Sequence, residues 1–161
     1  MLDIYTVSFF GHRILGDFNA VENMLTMLIQ QLLDEYKYVD FLVGRDGDFD
    51  RMAASVIRRC RSDHGTSNSS LIWILPYETA DLRRNIEYFK AYYDEIEVCG
   101  ASASSHYKSA YRVRNRNIVD RSDLVICCVE HASGGAYAAM QYAVSKSKKI
   151  INLAKTTALL I

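Results

Sequence analysis

The chain holds one proline, Pro76, and no apolar run long enough to cross a bilayer. Its start, Met-Leu-Asp-Ile-Tyr, has neither the basic residues nor the apolar core of a signal peptide. None of the four cysteines (Cys60, Cys99, Cys127 and Cys128) is spaced as Cys-x-x-Cys, which removes the common structural zinc patterns. Charge of one sign is also missing: 19 Lys plus Arg balance 19 Asp plus Glu. A general nucleic-acid binder usually carries a basic excess, so nucleic acid is not expected as a partner. No Ser-His-Asp order, nucleophile elbow or P-loop lysine is present, and Asp46, Asp48 and Asp50 lack the closing Glu of a calcium loop. No metal, cofactor or membrane partner is expected. These absences leave a cytoplasmic protein with reduced thiols. Residues 1–161 read as one domain, long enough to bury about two thirds of its unfolded surface.

What is present is an alternation of β-rich runs and helical patterns. Strands are predicted at 3–10, 39–43, 70–75, 95–98, 124–129 and 150–153, the third stopped by Pro76. Apolar positions three and four apart predict helices at 17–37, 49–61, 81–92, 107–121 and 136–146. Asp17 or Asn19 is expected to cap the first helix and Asp48 the second. Residues 100–105 read as a small-residue loop, and the apolar tail 156–161 takes no assignment. Leu124 to Val129 reads as a strand buried on both faces, with Cys127 and Cys128 turned to opposite sides. The order predicts an α/β, Rossmann-like, doubly wound and mostly parallel sheet with helices on both faces. In such sheets a ligand sits beyond the carboxyl ends of the strands, where their order reverses.

Three turns fall at such ends. Ser133-Gly134-Gly135 lies between a strand and a helix, where glycines admit a ligand to the backbone and the helix start offers unpaired N–H groups. Gly11-His12-Arg13 offers a backbone amide, an imidazole and a guanidinium to a phosphate, or is a surface loop whose Arg pairs with an Asp. In the third turn, Gly44-Arg45-Asp46-Gly47-Asp48-Phe49-Asp50, Asp50 either holds a ribose hydroxyl or accepts from a loop amide. On the basic helix, Arg112 and Arg116 share one face while Arg114 and Asn117 share another, and one of these faces is assigned to the site. Glu130 and His131 follow the strand end directly, and Tyr107, Tyr111 and Tyr137 are candidates to stack on a base.

Phe10 to Arg13, Gly44 to Asp50, Arg114-Asn115, Ser122-Asp123 and Gly134-Gly135 together resemble the SLOG superfamily, in particular its DUF1273-type group, over Val7 to Leu153. The resemblance implies a Rossmann-like domain binding a nucleotide or nucleotide-derived small molecule, as a sensor or ligand-binding protein. A homodimer is a further implication. The ligand-binding set it suggests is Gly11, His12, Arg13, Gly44, Arg45, Asp50, Arg114, Asn117, Ser133, Gly134, Gly135 and Tyr137. The superfamily also holds the Lonely Guy phosphoribohydrolases, with a Pro-Gly-Gly-x-Gly-Thr-x-x-Glu motif. Laid on this chain, that motif puts Ser133 at the Pro, Tyr137 at the third Gly, Ala138 at the Thr and Gln141 at the Glu. An uncharged Gln supports neither an oxocarbenium-like centre nor a general base, so binding is expected ahead of catalysis. An N-glycosidase would need Glu130 or Asp50 to act from another wall. A nucleic-acid-handling protein, like the DNA-processing members of the superfamily, is the third reading.

Overall fold

A computed structural model of the protein describes residues 3–65 and 67–154; the tail 156–161 lies outside the described residues. In chain order the elements are β1 (Ile4–Gly11), α1 (Phe18–Glu35), β2 (Tyr38–Val43), α2 (Asp48–His64), β3 (Ser69–Leu75), α3 (Ala80–Arg84) and α4 (Ile86–Tyr92). They continue with β4 (Glu95–Val98), α5 (Gly100–Ala103), α6 (Tyr107–Arg121), β5 (Leu124–Cys128), α7 (Gly135–Ser145) and β6 (Lys149–Asn152). Every pairing in the six-stranded sheet is parallel, in the order β4-β3-β2-β1-β5-β6. The chain steps outward from β1 to β4, then returns to lay β5 against the free side of β1. The strand order therefore reverses between β1 and β5. A Rossmann-like doubly wound fold is what the sequence predicts and what the chain adopts.

Strand residues alternate between two cores. Phe9, Phe41, Val43 and Leu71 join α1 and α2 on one face, while Phe10, Leu42, Ile72 and Ile74 join Ile118 of α6 and Ala139 of α7 on the other. Cys128 belongs to the first core and Cys127 to the second, as period-two alternation on a doubly buried strand requires. All four cysteines are buried free thiols.

Helix ends differ from the sequence reading in three places. Asp17 does cap α1, its carboxylate accepting from Ala20 N at 3.3 Å. Asp48 does not cap α2: Gly47 occupies that position, and the Asp48 carboxylate reaches back to accept from Leu15 N at 3.3 Å. The helix expected over 81–92 is broken at Asn85, whose side-chain amide donates to the Asp81 carbonyl (3.2 Å) and carboxylate (2.9 Å). A short side chain that competes for a helical carbonyl ends the helix there. The loop expected over 100–105 contains the single turn α5.

Candidate functional site

The reversal between β1 and β5 opens a cleft of about 270 Å³ at the carboxyl edge of the sheet. Phe10, Gly11, His12 and Arg13 line it from β1, and Gly44, Asp46, Gly47 and Asp50 from the β2–α2 turn. Tyr111, Arg114, Asn115 and Ile118 supply the α6 wall, and Gly134, Gly135 and Ala136 supply the start of α7. All three glycine turns predicted at strand ends thus meet at one place.

Their glycines serve different ends. A methyl on Gly11 would lie 2.3 Å from the Phe49 ring, and one on Gly47 would lie 2.5 Å from the Arg13 Cα. Both are needed for packing, so Gly11 lacks a side chain for the sake of Phe49 and not of a ligand. Gly134 is the N-cap of α7 at φ 92°, ψ 175°, a region only glycine occupies without strain. Beside it, Gly135 faces open space: beyond its chain neighbours and its own helix backbone, nothing lies within 4 Å of where a Cβ would stand. The helix N-terminus here is accessible, and α7 has 11 residues behind it to align its peptide dipoles.

Arg114 is 4% exposed and fully engaged with the protein. Its guanidinium donates to the Ile74 carbonyl at 2.9 Å, to the Asp46 carboxylate at 2.7 Å and to Asn115 Oδ1 at 2.9 Å, and it lies 5.3 Å from the Tyr111 ring centre. It ties α6 to the end of β3 and to the β2–α2 turn, forming the cleft wall. Asp50 closes the floor, its carboxylate accepting from Asp46 N at 3.0 Å, so the loop-amide reading of Asp50 is the one realised. Loss of solvent pushes its carboxyl up to about 6, against the pull of that amide and of Arg114. Arg13 is exposed and has no hydrogen-bond or ion-pair partner for its side chain among the described residues. The expected alternative, pairing with an Asp, does not occur.

His12 turns to the protein. Its Nε2 accepts from the backbone N–H of Glu130 at 2.9 Å and of His131 at 3.1 Å. Desolvation, then the nearby His131 ring, lowers its pKa, while Glu130 opposes them.

Four residues of the expected set lie outside the cleft lining: Arg45, Asn117, Ser133 and Tyr137. Arg45 is drawn to α4, where it lies over the Phe89 ring and donates to the Tyr93 hydroxyl at 3.3 Å. Tyr137 packs against the second core. Glu130 is exposed at the loop edge and also falls outside the lining. Asn115 takes the place expected of Asn117, because Tyr111, Arg114, Asn115 and Ile118 follow the i, i+3, i+4, i+7 spacing of one helical face. That periodicity was available in the sequence once Arg114 had been placed. Tyr111 is 39% exposed and meets Tyr77 edge-on at 6.0 Å; Tyr107, one turn earlier, is 67% exposed.

No protein-family model matches this chain, and no curated protein matches it. Solved structures do. DNA processing protein A from Streptococcus pneumoniae superposes with a TM-score of 0.61 at 17% identity, over 91% of this chain and 49% of that one. DNA processing protein A from Helicobacter pylori, described for its single-stranded DNA binding mode, gives 0.63 at 14% identity, over 91% and 63%. The likeness is one of fold. This chain spans about half to under two thirds of their length. The expectation that nucleic acid is no partner does not stand, since a protein of this fold binds single-stranded DNA. Its premise was a sum of charges, which says nothing of where the charges lie. No helix among the described residues is long and apolar enough to cross a membrane.

Proposed function

We propose that the cleft binds single-stranded nucleic acid, seating the phosphate of one nucleotide at the start of α7 and its base against Tyr111. The observation that carries this reading is that one cleft joins an open helix N-terminus, the unpartnered Arg13 and an exposed aromatic ring. Tyr107 extends the aromatic surface out of the cleft, along the path a strand would take and a free nucleotide would not need. Lys108 and Arg112 are exposed on the same flank of α6 as Arg116, which lies over Tyr142 of α7, and a strand leaving the cleft along that flank would meet them. The single-stranded DNA binder of the same fold supports the choice of ligand. In this reading residues 1–161 form one cytoplasmic SLOG-type domain of the DUF1273-type group.

A second reading is a free nucleotide or nucleotide-derived molecule, sensed or sequestered; a cleft of nucleotide size favours it. A phosphoribohydrolase would need an ionised carboxylate in the cleft. Asp50, the candidate that lines it, has its carboxylate committed to Asp46 N at 3.0 Å, which holds it to the loop and away from a substrate.

Fluorescence anisotropy with a labelled thymidine oligonucleotide, titrated across salt, tests the proposal. Contacts from Arg13, Lys108 and Arg112 give an expected slope of about −2 in log K against log salt, from about 0.7 per phosphate on a single strand. Arg13→Ala lowers the magnitude of that slope by about 0.7. Tyr111→Ala weakens binding by roughly 5- to 100-fold, the loss of one stacked base. Binding by both variants at wild-type strength sinks the assignment. If AMP raises the melting temperature while the oligonucleotide fails to bind even at low salt, the free-nucleotide reading replaces it.

A further inference from the structure

His12 borders the cleft, and the accepting nitrogen of its ring is spent on the chain itself. Nε2 receives two backbone N–H groups, from Glu130 at 2.9 Å and His131 at 3.1 Å. A nitrogen that accepts must carry its lone pair, so the ring is neutral with its proton on Nδ1. These two bonds tie the stretch between the end of β5 and Gly134 to the rest of the described fold. On one side, Val129 is held by Asn152, whose Oδ1 accepts from Val129 N at 3.1 Å. On the other, α7 begins at Gly134. Between them His12, itself fixed by its own N–H to the Cys128 carbonyl at 3.3 Å, is the anchor.

We propose that neutral His12 is a positioning residue that latches the β5–α7 connection, so that acidification releases Gly134-Gly135 and weakens ligand binding. The effect on binding rests on the cleft being the ligand site; the latch does not. A proton on Nε2 turns the acceptor into a donor aimed at two donors, and both bonds are lost. The charged groups around the ring divide. His131, with ring centres 5.0 Å apart, and the N-terminal end of α7 oppose a second positive charge, as does the adjacent Arg13. Glu130 favours it; the other carboxylates on this side are those of the β2–α2 turn, Asp46 and Asp50 in the cleft lining and Asp48, held at Arg13 through its N–H to the Arg13 carbonyl (2.8 Å). Burial adds to the opposition, and the net shift is downward, so the latch is closed at neutral pH and opens on acidification. Electrostatics alone gives the opposite trend, since a positive His12 beside a phosphate tightens binding.

Amide hydrogen exchange followed by NMR reads the latch without any ligand. Protection factors at Glu130 and His131, corrected for intrinsic exchange, are expected to fall several-fold, by about tenfold at most, between about pH 7.5 and about pH 5.5. His12→Gln keeps an acceptor at the Nε2 position and does not titrate, so its protection stays flat. His12→Leu abolishes protection at every pH, and His131→Ala retains the wild-type step. Oligonucleotide affinity falls on acidification in the wild type and not in His12→Gln. Unchanged protection down to about pH 5, an Nε2-protonated ring by nitrogen chemical shift at neutral pH, or tighter binding on acidification overturns the proposal. A normal exchange step without oligonucleotide binding at any pH sinks the reading of the cleft and leaves the latch standing.

Discussion

Arg114 has one side chain and three constraints, and they determine what its removal does. It is 4% exposed, and its partners are a strand-end carbonyl, a carboxylate and a neighbouring amide. Truncating one member of a buried charged network leaves the others unpaired, at a cost of about 3–5 kcal/mol. Arg114→Ala is therefore expected to lower the urea midpoint sharply, and any loss of binding in that variant reports unfolding. Arg13→Ala, with no hydrogen-bond or ion-pair partner to abandon, leaves the unfolding free energy from the same urea curve within about 0.5 kcal/mol of wild type. The glycines separate in the same way. Gly11→Ala drives a methyl into the Phe49 ring and is expected to cost about 1–3 kcal/mol. Gly135→Ala meets open space at a helical position, so it leaves stability unchanged or raises it by up to about 1 kcal/mol, while crowding the phosphate position. Thermal melts paired with anisotropy distinguish the two. Asp50 adds a pH dependence. Its folded pKa, about 6, lies above the unfolded value of 3.8, so the stability it contributes is fully present below 3.8 and is lost as pH rises through about 6. Asp50→Asn keeps an acceptor for Asp46 N and removes the charge. It is expected to stabilise the fold at pH 7 by on the order of 1–3 kcal/mol and to flatten that part of the pH–stability curve.

At the scale of elements, the apolar runs made the sheet legible and the polar helix did not make the site so. β5 buries all five of its residues, and a continuous apolar run can report only that. α6 carries Arg112, Arg114, Asn115, Arg116, Asn117, Asp120 and Arg121 around most of its circumference, so its sequence does not mark which polar residue faces inward. Asn117 was the natural partner for Arg114 by i, i+3 spacing, whereas the cleft takes Asn115. Asn115→Ala is expected to weaken oligonucleotide binding several-fold while Asn117→Ala leaves it unchanged, measured by the same anisotropy assay. The short side-chain interactions were equally hidden. Asn85 breaking a helix and Asp48 reaching Leu15 both depend on which backbone group happens to stand nearby, a tertiary fact that local propensity does not carry.

Across the whole molecule, the alternation of strands and helices foretold the class of fold, while net charge was no guide to the partner. Equal numbers of acids and bases exclude a uniformly basic surface, but a binding site needs only a few cations in register with a helix terminus. The sheet supplies that register where its order reverses, because helices leave the two neighbouring strands toward opposite faces and a gap opens between them. The same doubly covered sheet places two adjacent thiols, Cys127 and Cys128, in separate cores, where burial pushes their pKa values up to about 12 and about 11. At neutral pH neither is ionised nor within reach of a reagent, so alkylation has to wait for its own layer to part from β5. The pair is thus a built-in clock with two hands. If the layers come apart together, maleimide labels both at one rate equal to that of global unfolding, read by mass spectrometry of the peptide that holds them. Cys128 labelling ahead of Cys127 would show the α1–α2 layer lifting first.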